Sequence, residues 1–246
     1  MRATVVLPTY NEAATIGEVV ARLLAASPDL DVLVVDDASP DGTGTIADEL
    51  AAAEPRVHVL HRGAKLGLGP AYRAGFRTAL NAGAEAVLEM DADLSHDPAD
   101  APRLVASLAQ ADLAIGSRWV AGGDAHNWSR TRIALSRAGN FYARALLRLP
   151  VRDSTSGFRA YRRALLEEIP LDDVRSEGYG FQVEMAWRAW TMGFAVAEVP
   201  ITFVERRAGA SKMNRRIVAE AMLAITRWSL RRARAPKRPH PRSVEA

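Results

Sequence analysis

Two aspartates separated by one residue are the strongest chemical signal in the sequence. Asp91 and Asp93 follow the apolar run at residues 86–90, within the segment AVLEMDADLSHDP. Carboxylate oxygens suit Mg²⁺ or Mn²⁺, especially when phosphate oxygens complete the coordination shell. A cation bound there would neutralise the charge of a departing diphosphate. The pair therefore predicts a divalent-metal site, against the alternative of a solvated acidic loop.

The residues around this pair have simpler predicted roles. Glu89, Asp97 and Asp100 add negative charge, and Asp97, which precedes Pro98, is expected to cap the helix that follows. His96 is a candidate Zn²⁺ ligand, but no second His and no Cys lie at ligand spacing. This spacing argues against a zinc site.

Two further segments combine acidic and aromatic groups that suit a nucleoside. They are residues 8–12, PTYNE, and residues 35–42, VDDASPDG. Carboxylates there can accept hydrogen bonds from a base or a ribose, and Tyr10 can stack on the base. A simpler interpretation, compatible with the first, has Asn11 capping a helix and Asp41 starting a tight turn.

Glycines follow the next predicted strand, in the loop GAKLGLG at residues 63–69. Its backbone N–H groups are placed to contact a diphosphate at the start of the next helix, although the glycines can also serve only the turns. These loops lack a G-x-G-x-x-G, and no G-x-x-x-x-G-K-S/T occurs in the chain. Dinucleotide-binding dehydrogenases and P-loop enzymes are therefore disfavoured.

These motifs need secondary-structure elements that bring them to one edge of a sheet. Short β-branched runs alternate with Ala/Leu-rich segments in the first half, which predicts a doubly wound, mostly parallel α/β sheet. Ligands bind at the carboxyl ends of strands in such sheets. The predicted strands are residues 4–7, 31–35, 57–60, 86–90 and 113–116. The predicted helices are residues 12–26, 43–53, 69–82, 99–109 and 131–149.

The second half of the chain is less regular, and we expect it to face a second substrate. A loop rich in Gly, Trp and Arg follows Ser117, and mixed short elements follow the helix at 131–149. Residues 217–228 have an apolar side flanked by arginines, which predicts a basic amphipathic helix. We expect a catalytic domain at residues 1–230 and a basic, disordered tail at residues 231–246.

Composition limits the possible locations of the protein. The 246 residues, 48% of them hydrophobic, are enough for one domain with a substantial core. The absence of Cys agrees with a reducing cytoplasm, and neither a signal peptide nor an apolar run of about 20 residues is present. Residues 227–242 are basic and contain no acid, which favours an anionic bilayer surface or a solvated end over nucleic acid.

Eight motifs occur in an order that resembles the family 2 inverting nucleotide-sugar transferases. They span about residues 3–228 and are PTYNE, VVDDASPDGT, GLGPAYRAGF, MDADLSHDP, GSRWVAGG, DSTSGFRAYRR, GYGFQVEM and ERRAGASKM. Within that family the sequence is similar to the dolichol-phosphate mannose synthases and their bacterial polyprenol counterparts. The resemblance implies a GT-A fold, a divalent metal (Mg²⁺ or Mn²⁺), GDP-mannose as donor and a polyprenyl or dolichyl phosphate as acceptor. It also implies a cytoplasmic protein that is peripheral on the inner face of the membrane.

The resemblance also implies roles for individual residues on the donor side. The nucleoside would be held by Pro8, Tyr10, Glu12, Asp36 and Asp37. The metal would be held by Asp91 and Asp93, with the backbone of Ala92 on the donor. Ser95 stands where some relatives carry Gln as a further metal ligand, so its hydroxyl, its carbonyl or a water would fill that place.

On the acceptor side, the implied residues are mainly cationic. Those expected to face the phosphates of donor and acceptor are Arg118, Arg132, Arg206 and Lys212. Gln182 and Glu184 match the segment near the sugar. Some family members carry C-terminal membrane helices where this sequence has a basic end, so the resemblance and that basic end together imply a membrane surface or an integral membrane partner.

A phosphate acceptor would change what the site has to do. Because a phosphate is already anionic at pH 7, its oxygen can attack the anomeric carbon with little help from a general base, and inversion would give a β-linked product. Arginines bind phosphate well, whereas a sugar hydroxyl acceptor would call for a carboxylate base, for which Glu184 and Asp97 are the candidates.

Three other functions remain as alternatives. One is transfer of glucose or an N-acetylhexosamine from a UDP-sugar to a lipid phosphate or to a glycan. Another is a non-catalytic nucleotide-sugar-binding subunit, against which the complete acidic pair and the cationic residues argue. A sugar nucleotidyltransferase is disfavoured because the sequence lacks a glycine-rich, basic phosphate loop near its N-terminus.

Overall fold

The computed structural model of this chain describes residues 1–205 and 215–232, with side chains described to 205 and from 220 to 230. Arg206, Lys212 and residues 233–246 of the predicted tail lie outside the described residues. The strands are β1 (Ala3–Thr9), β2 (Leu30–Asp36), β3 (Val57–His61), β4 (Ala86–Glu89), β5 (Leu113–Ser117), β6 (Asp124–His126), β7 (Arg159–Arg162), β8 (Val196–Pro200) and β9 (Thr202–Val204). The helices are α1 (Ile16–Ala26), α2 (Thr43–Ala53), α3 (Leu68–Asn81), α4 (Ala101–Ser107), α5 (Arg130–Leu147), α6 (Arg163–Glu168), α7 (Tyr179–Met192) and α8 (Arg215–Arg232).

Seven strands form one twisted sheet in the order β3-β2-β1-β4-β7-β5-β8. The pairings of β1 with β2 and β4, of β2 with β3, and of β5 with β8 are parallel. Strand β7 is antiparallel to both of its neighbours, β4 and β5. Strands β6 and β9 form a separate two-stranded ladder. The predicted α/β class with a mostly parallel sheet is confirmed.

The central strands are buried on both faces, as a doubly wound sheet requires. Along β1, Val6 packs into one apolar core while Val5 and Leu7 pack into the other. Successive side chains of a strand point to opposite faces, so an unbroken apolar run supplies both cores. This burial fixes the strand register, and with it the positions of the loops at the carboxyl ends of the strands.

Four differences from the predicted elements concern the edges of the site. Helix α1 begins at Ile16, four residues later than expected, and Asn11 adopts a left-handed conformation with φ 61° and does not cap it. The predicted helix at 99–109 is a 3-10 turn at Pro98–Asp100 followed by the shorter α4. Asp97 caps that turn as expected, because its side chain accepts a hydrogen bond from the backbone of Ala99. Strands β6 to β9 were not predicted.

Candidate active site

Most of the predicted site residues line one cavity of about 350 Å³. It lies where β1 and β4 end and is closed on the opposite side by the loop before α5 and the start of α7. Ten predicted residues border it: Pro8, Tyr10, Glu12, Asp37, Asp91, Ala92, Asp93, Arg118, Arg132 and Gln182. Asp36, Ser95 and Glu184 do not border it. The fold therefore gathers motifs that are far apart in the sequence.

The two aspartates occupy the loop directly after β4. Asp93 is almost completely buried, and its Oδ1 accepts a hydrogen bond from the backbone N–H of Ser95 at 3.0 Å. Leu94, which lies between Asp93 and Ser95, adopts a left-handed conformation with φ 61°, and this conformation turns the chain sharply. Gly157 leaves open space beside Asp91, since a Cβ atom there would lie only 3.5 Å from its Oδ2. Both carboxylates thus border the same polar space.

This pair fits a hard divalent cation whose remaining ligands come from elsewhere. Within the described part of the chain, no three His, Cys, Asp or Glu side chains are grouped so that they could hold a metal ion. Two carboxylates next to a cavity are suited to Mg²⁺ or Mn²⁺ when phosphate oxygens and water complete the shell. The hydroxyl-bearing side chain of Ser95 borders a different cavity, of about 440 Å³.

His96 is placed for packing. Its ring lies 5.2 Å from the ring of Phe158 and 5.1 Å from that of Phe203, measured between centroids. Burial lowers the pKa of His96 to about 4, so the ring is neutral at pH 7. Packing between two aromatic rings therefore accounts for the position of His96.

The two aspartates after β2 have separate roles. The carboxylate of Asp36 accepts hydrogen bonds from Thr9 Oγ1 at 3.0 Å and from the backbone N–H of Ser39 at 3.0 Å, so it fixes the loop. Asp37 borders the cavity, and its Oδ1 accepts a hydrogen bond from Arg62 at 2.7 Å. Burial raises the pKa of Asp37, although the charge of Arg62 opposes the shift.

Tyr10 presents its ring to the cavity, but a cation covers one face of it. The Nζ atom of Lys65 lies 3.8 Å from the ring centroid, a cation–π contact. Lys65 belongs to the glycine-containing loop at residues 63–69, which therefore reaches the cavity as expected.

Arg118 is held rigidly by a buried acid. Its Nε donates to Asp153 Oδ2 and its Nη2 to Asp153 Oδ1, both at 2.7 Å, and Nη2 also reaches Thr155 at 3.0 Å. Burial alone would raise the pKa of Asp153, but the charge and hydrogen bonds of Arg118 lower it below its usual value. These bonds use Nε and Nη2, so Nη1 is the nitrogen left to meet a ligand. Asn140 donates to Thr155 at 3.0 Å and so braces the pair.

Arg132 lies in the first turn of α5, whose N-cap is Ser129. Its Nη1 is 2.5 Å from Glu205 Oε1, and its guanidinium lies 3.9 Å from the ring of Trp128. Both predicted cations of the described residues are therefore paired with a carboxylate and stacked near an aromatic ring. Arg206 and Lys212 stay predictions.

The two residues predicted near the sugar both lie on α7, but only one of them borders the cavity. Gln182 is buried and borders the cavity. Glu184 accepts hydrogen bonds from the backbone N–H of Ser176 at 3.2 Å and from Arg188 Nη2 at 2.7 Å. Glu184 thus anchors the segment before α7 and does not face the cavity.

Several residues of the site were missed as functional candidates. Thr155, Glu177 and Tyr179 border the cavity, and Arg159 braces it from below. The fully buried Arg159 donates to three backbone carbonyls, at 2.7 to 2.8 Å, which belong to Ser154, Ser156 and Gln182. The motifs DSTSGFRAYRR and GYGFQVEM contained these residues, but without a fold nothing indicated which of them face the ligand.

Glu89 also proved to lie in the floor beneath the cavity. It is fully buried, and Tyr161 donates a hydrogen bond to its Oε1 at 2.6 Å. Burial raises its pKa to about 6, although the charge of Arg159 opposes the shift. Glu89 therefore lies in the core, whereas Asp97 lies exposed on the loop.

Comparison with known proteins agrees with this geometry. The model of the glycosyl transferase family 2 matches residues 4–170. A polyprenol monophosphomannose synthase of Mycolicibacterium smegmatis is 51% identical over 232 residues, covering 94% of this chain and 88% of that protein. An undecaprenyl-phosphate mannosyltransferase of Micrococcus luteus is 53% identical over 230 residues, covering 94% and 95%. The chain belongs to glycosyl transferase family 2.

Solved structures show that the fold is shared. A mannosyltransferase from Pyrobaculum calidifontis, in complex with GDP-Man and Mn²⁺, superposes with a TM-score of 0.63 at 22% identity, covering 97% of this chain and 66% of that one. A glucosyl-3-phosphoglycerate synthase from Mycobacterium tuberculosis, in complex with Mn²⁺ and UDP, gives 0.63 at 23% identity, covering 95% and 80%. The expected GT-A fold is confirmed.

Proposed function

We propose that the chain transfers mannose from GDP-mannose to a polyprenyl phosphate with inversion at the anomeric carbon. The observation that carries the proposal is the placement of two carboxylates and two arginines around one cavity. The carboxylates suit the metal and diphosphate of a nucleotide sugar, and the arginines suit a second phosphate. Membership of family 2, and the two relatives that are named for mannosyl transfer to polyprenyl phosphates, support the choice of substrates.

On the donor side, Asp91 and Asp93 would hold a divalent metal, Mg²⁺ or Mn²⁺, which would supply neutralising charge for the leaving diphosphate. Tyr10, Glu12 and Asp37 would bind the nucleoside. Pro8 and the backbone of Ala92 would complete the wall against which the donor lies. The orientation of these groups is fixed by the strands β1, β2 and β4, which are buried on both faces.

On the acceptor side, Arg118 and Arg132 would bind and orient the phosphate. One of its oxygens would form a bond to the anomeric carbon while the bond from that carbon to GDP breaks, giving a β-linked lipid-phosphate sugar. Because Asp153 fixes the guanidinium of Arg118, little reorganisation is needed when the phosphate arrives. Gln182 is placed to contact the sugar from α7.

A base-free mechanism is supported by the positions of the two candidate bases. Glu184 is hydrogen-bonded to Ser176 and Arg188 and faces away from the cavity. Asp97 accepts hydrogen bonds from Arg22 at 2.9 Å and from Ala99, and it borders the other cavity. Neither side chain borders the space that the acceptor would occupy, as a general base would have to.

The surface of α5 and α8 supports a peripheral location on the inner face of the membrane. No helix in the described residues is long and apolar enough to cross a bilayer. Six of the nine large hydrophobic residues that the described chain exposes lie on these two helices: Leu135, Phe141, Leu146, Met222, Leu223 and Leu230. The two helices meet where Tyr142 and Thr226 share a hydrogen bond of 2.7 Å between their hydroxyl groups.

Helix α5 carries the clearer amphipathic pattern. Positions three, four or seven apart share a face of a helix. Such a face is formed by exposed apolar residues, namely Ala134, Ala138, Phe141 and Ala145, and Phe141 is 73% exposed. An adjacent row consists of exposed arginines, namely Arg130, Arg137 and Arg144. An apolar stripe beside a basic row is suited to an anionic bilayer surface.

Helix α8 is only partly available for such a contact. Ile225 and Trp228, which belong to its predicted apolar side, are buried, and the ring of Trp228 stacks on that of Trp187 at 5.3 Å. Trp228 therefore attaches the helix to the catalytic domain and is not available for contact with a membrane. Leu223 and Leu230 remain exposed beside the arginine at position 227.

One experiment tests the proposed substrates directly. The purified chain is incubated with Mg²⁺ or Mn²⁺, a short polyprenyl phosphate, and a panel of GDP- and UDP-sugars, and the lipid product is measured. We expect turnover with GDP-mannose that exceeds every other donor. Preference for UDP-glucose or a UDP-N-acetylhexosamine would replace the donor assignment, and binding of donors without transfer to any lipid phosphate would favour a non-catalytic subunit.

A further inference from the structure

The carboxylate of Glu177 occupies the place where the glycine-containing loop was expected to meet a diphosphate. Glu177 borders the active-site cavity, and its carboxylate packs against the backbone of Gly67, the residue that precedes α3. Exposed N–H groups and the helix dipole make a helix N-terminus attractive to anions. In this structure the chain supplies that anion itself.

The loop at residues 63–69 is therefore in contact with two carboxylates of the chain. The backbone N–H of Leu66 donates to Asp37 at 3.3 Å, and the carboxylate of Glu177 packs against Gly67. Burial raises the pKa of Glu177, and the backbone N–H of Gly69 and the charges of Arg73 and Arg62 oppose that shift. The loop thus differs from an open phosphate-binding loop, since carboxylates of the chain already lie against it.

The close approach of Glu177 depends on the glycines of the loop. Gly67 has φ 103°, and a Cβ atom there would overlap the Glu177 carboxylate. A Cβ atom at Gly69 would lie 2.8 Å from the backbone oxygen of Ser176. On the other side, Glu184 holds the backbone N–H of Ser176. The glycines of the loop at residues 63–69 and the anchored segment before α7 thus both support the contact between Glu177 and Gly67.

A fixed negative charge at this place has an electrostatic consequence for a phosphate ligand. The cavity is bordered by Glu177 on one side and by Asp91 and Asp93 on another. A diphosphate is repelled by a carboxylate unless a cation lies between them, and the metal proposed above would lie only at the aspartate pair. The two acidic positions would therefore act differently on the donor.

We propose that Glu177 is a positioning residue that keeps the donor diphosphate off the N-terminus of α3 and so directs it to the aspartate pair. The inference rests on the proposed function, because it requires a nucleoside diphosphate in this cavity. It assigns a role in donor placement to a residue that need not touch the reacting atoms. It also explains why the loop combines glycines with a carboxylate partner.

The test is the affinity of the full chain for GDP, measured by calorimetry with excess EDTA and again with Mn²⁺. Glu177→Gln keeps the size of the side chain but removes its charge. We expect this variant to bind GDP without metal about three- to tenfold more tightly than the wild-type chain, an effect moderated by solvent because Glu177 is exposed. The gain on adding Mn²⁺ should be correspondingly smaller in the variant.

Two further variants make the result specific. Glu177→Asp keeps the charge and should retain the wild-type affinity without metal, while Glu49→Gln removes an exposed charge on α2 and should change nothing. An unchanged or weaker metal-free affinity of Glu177→Gln for GDP overturns the proposal. If Glu177 only held the loop at residues 63–69 against the segment before α7, its substitution would loosen the site and would not strengthen the binding of GDP. If the wild-type chain fails to bind GDP even with Mn²⁺, the proposed function itself is wrong.

Discussion

The two sides of the cavity differ in how their charges are arranged. On the donor side, Asp91 and Asp93 border the cavity on a loop that follows a buried strand. On the acceptor side, Arg118 and Arg132 are each bound to an acid of the chain, at 2.7 Å and 2.5 Å respectively. One side presents acids to the ligand, and the other presents cations that the fold has already paired.

This difference shows two ways of meeting a phosphate. Acids can bind a phosphate only through a cation that arrives with it, so the donor side is expected to depend on the concentration of metal. Paired arginines carry little net charge but are held in a fixed geometry, so the acceptor side is expected to depend on the integrity of the pairs. Substitutions on the two sides should therefore fail in different ways.

Removal of one donor-side carboxylate is expected to have the largest effect. Asp93→Asn should lower kcat/KM by about a thousandfold or more with GDP-mannose and a short polyprenyl phosphate, because the metal would lose a ligand. Asp100→Asn, which alters a partly buried acid paired with the exposed Arg103 nearby, is the matched control and should stay within about twofold. Normal turnover of Asp93→Asn at low metal concentration would contradict the account of the donor side.

Disruption of the buried pair on the acceptor side should cost stability as well as activity. Asp153→Asn leaves the guanidinium of Arg118 buried without its counter-charge, so the free energy of unfolding should fall by about 3 kcal/mol. Glu167→Gln, which alters an exposed pair with Arg163, should change it by less than about 1 kcal/mol. Urea titrations of the three proteins measure the comparison, and equal losses would show that burial of the pair is unimportant.

The same pair predicts a pH dependence of stability. The pKa of Asp153 lies below its usual value in the folded chain, so its contribution is fully present above its unfolded pKa of about 3.9 and is lost as the pH falls through the folded pKa. The stability of the wild-type chain should therefore decline more steeply than that of Asp153→Asn below about pH 4. Parallel declines in urea titrations across this range would contradict the assignment.

The difference between the two sides also explains what the sequence could predict. Helix α2 was predicted at its observed bounds, and β1 to β5 within one or two residues at each end, because their apolar runs and intervening helices follow regular periods. The aspartate pair was found because its spacing carries a chemical meaning without a fold. Local patterns were sufficient on the donor side.

The acceptor side depends on contacts between distant segments, which local patterns do not contain. Strand β7 was missed because it is four residues long and carries two charged residues, Arg159 and Arg162. Arg159 is nevertheless fully buried, because its guanidinium donates hydrogen bonds to backbone carbonyls. The role of Glu184 was misplaced for the same reason, because its partner Ser176 lies in an irregular segment. The pairing of Arg118 with Asp153, 35 positions apart, likewise had no local signal.

The smallest effect is expected at the surface of α5. Phe141→Ser should weaken binding to vesicles that contain anionic lipid by about fivefold, while leaving transfer to a short, soluble acceptor unchanged. Leu66→Ser, which removes an exposed apolar residue from the loop at residues 63–69, is the control for binding. Flotation at low and high salt measures both contributions, since only the part due to the arginines weakens with salt. Equal binding of all three proteins would remove α5 from the membrane contact.

The most direct test of the whole account is a crystal structure of the chain grown with GDP-mannose and Mn²⁺. We expect one cation in contact with carboxylate oxygens of Asp91 and Asp93 and with the donor diphosphate, and an unchanged contact between Glu177 and Gly67. A nucleotide bound elsewhere, or a diphosphate seated on the N-terminus of α3 with the aspartate pair out of reach, would contradict it.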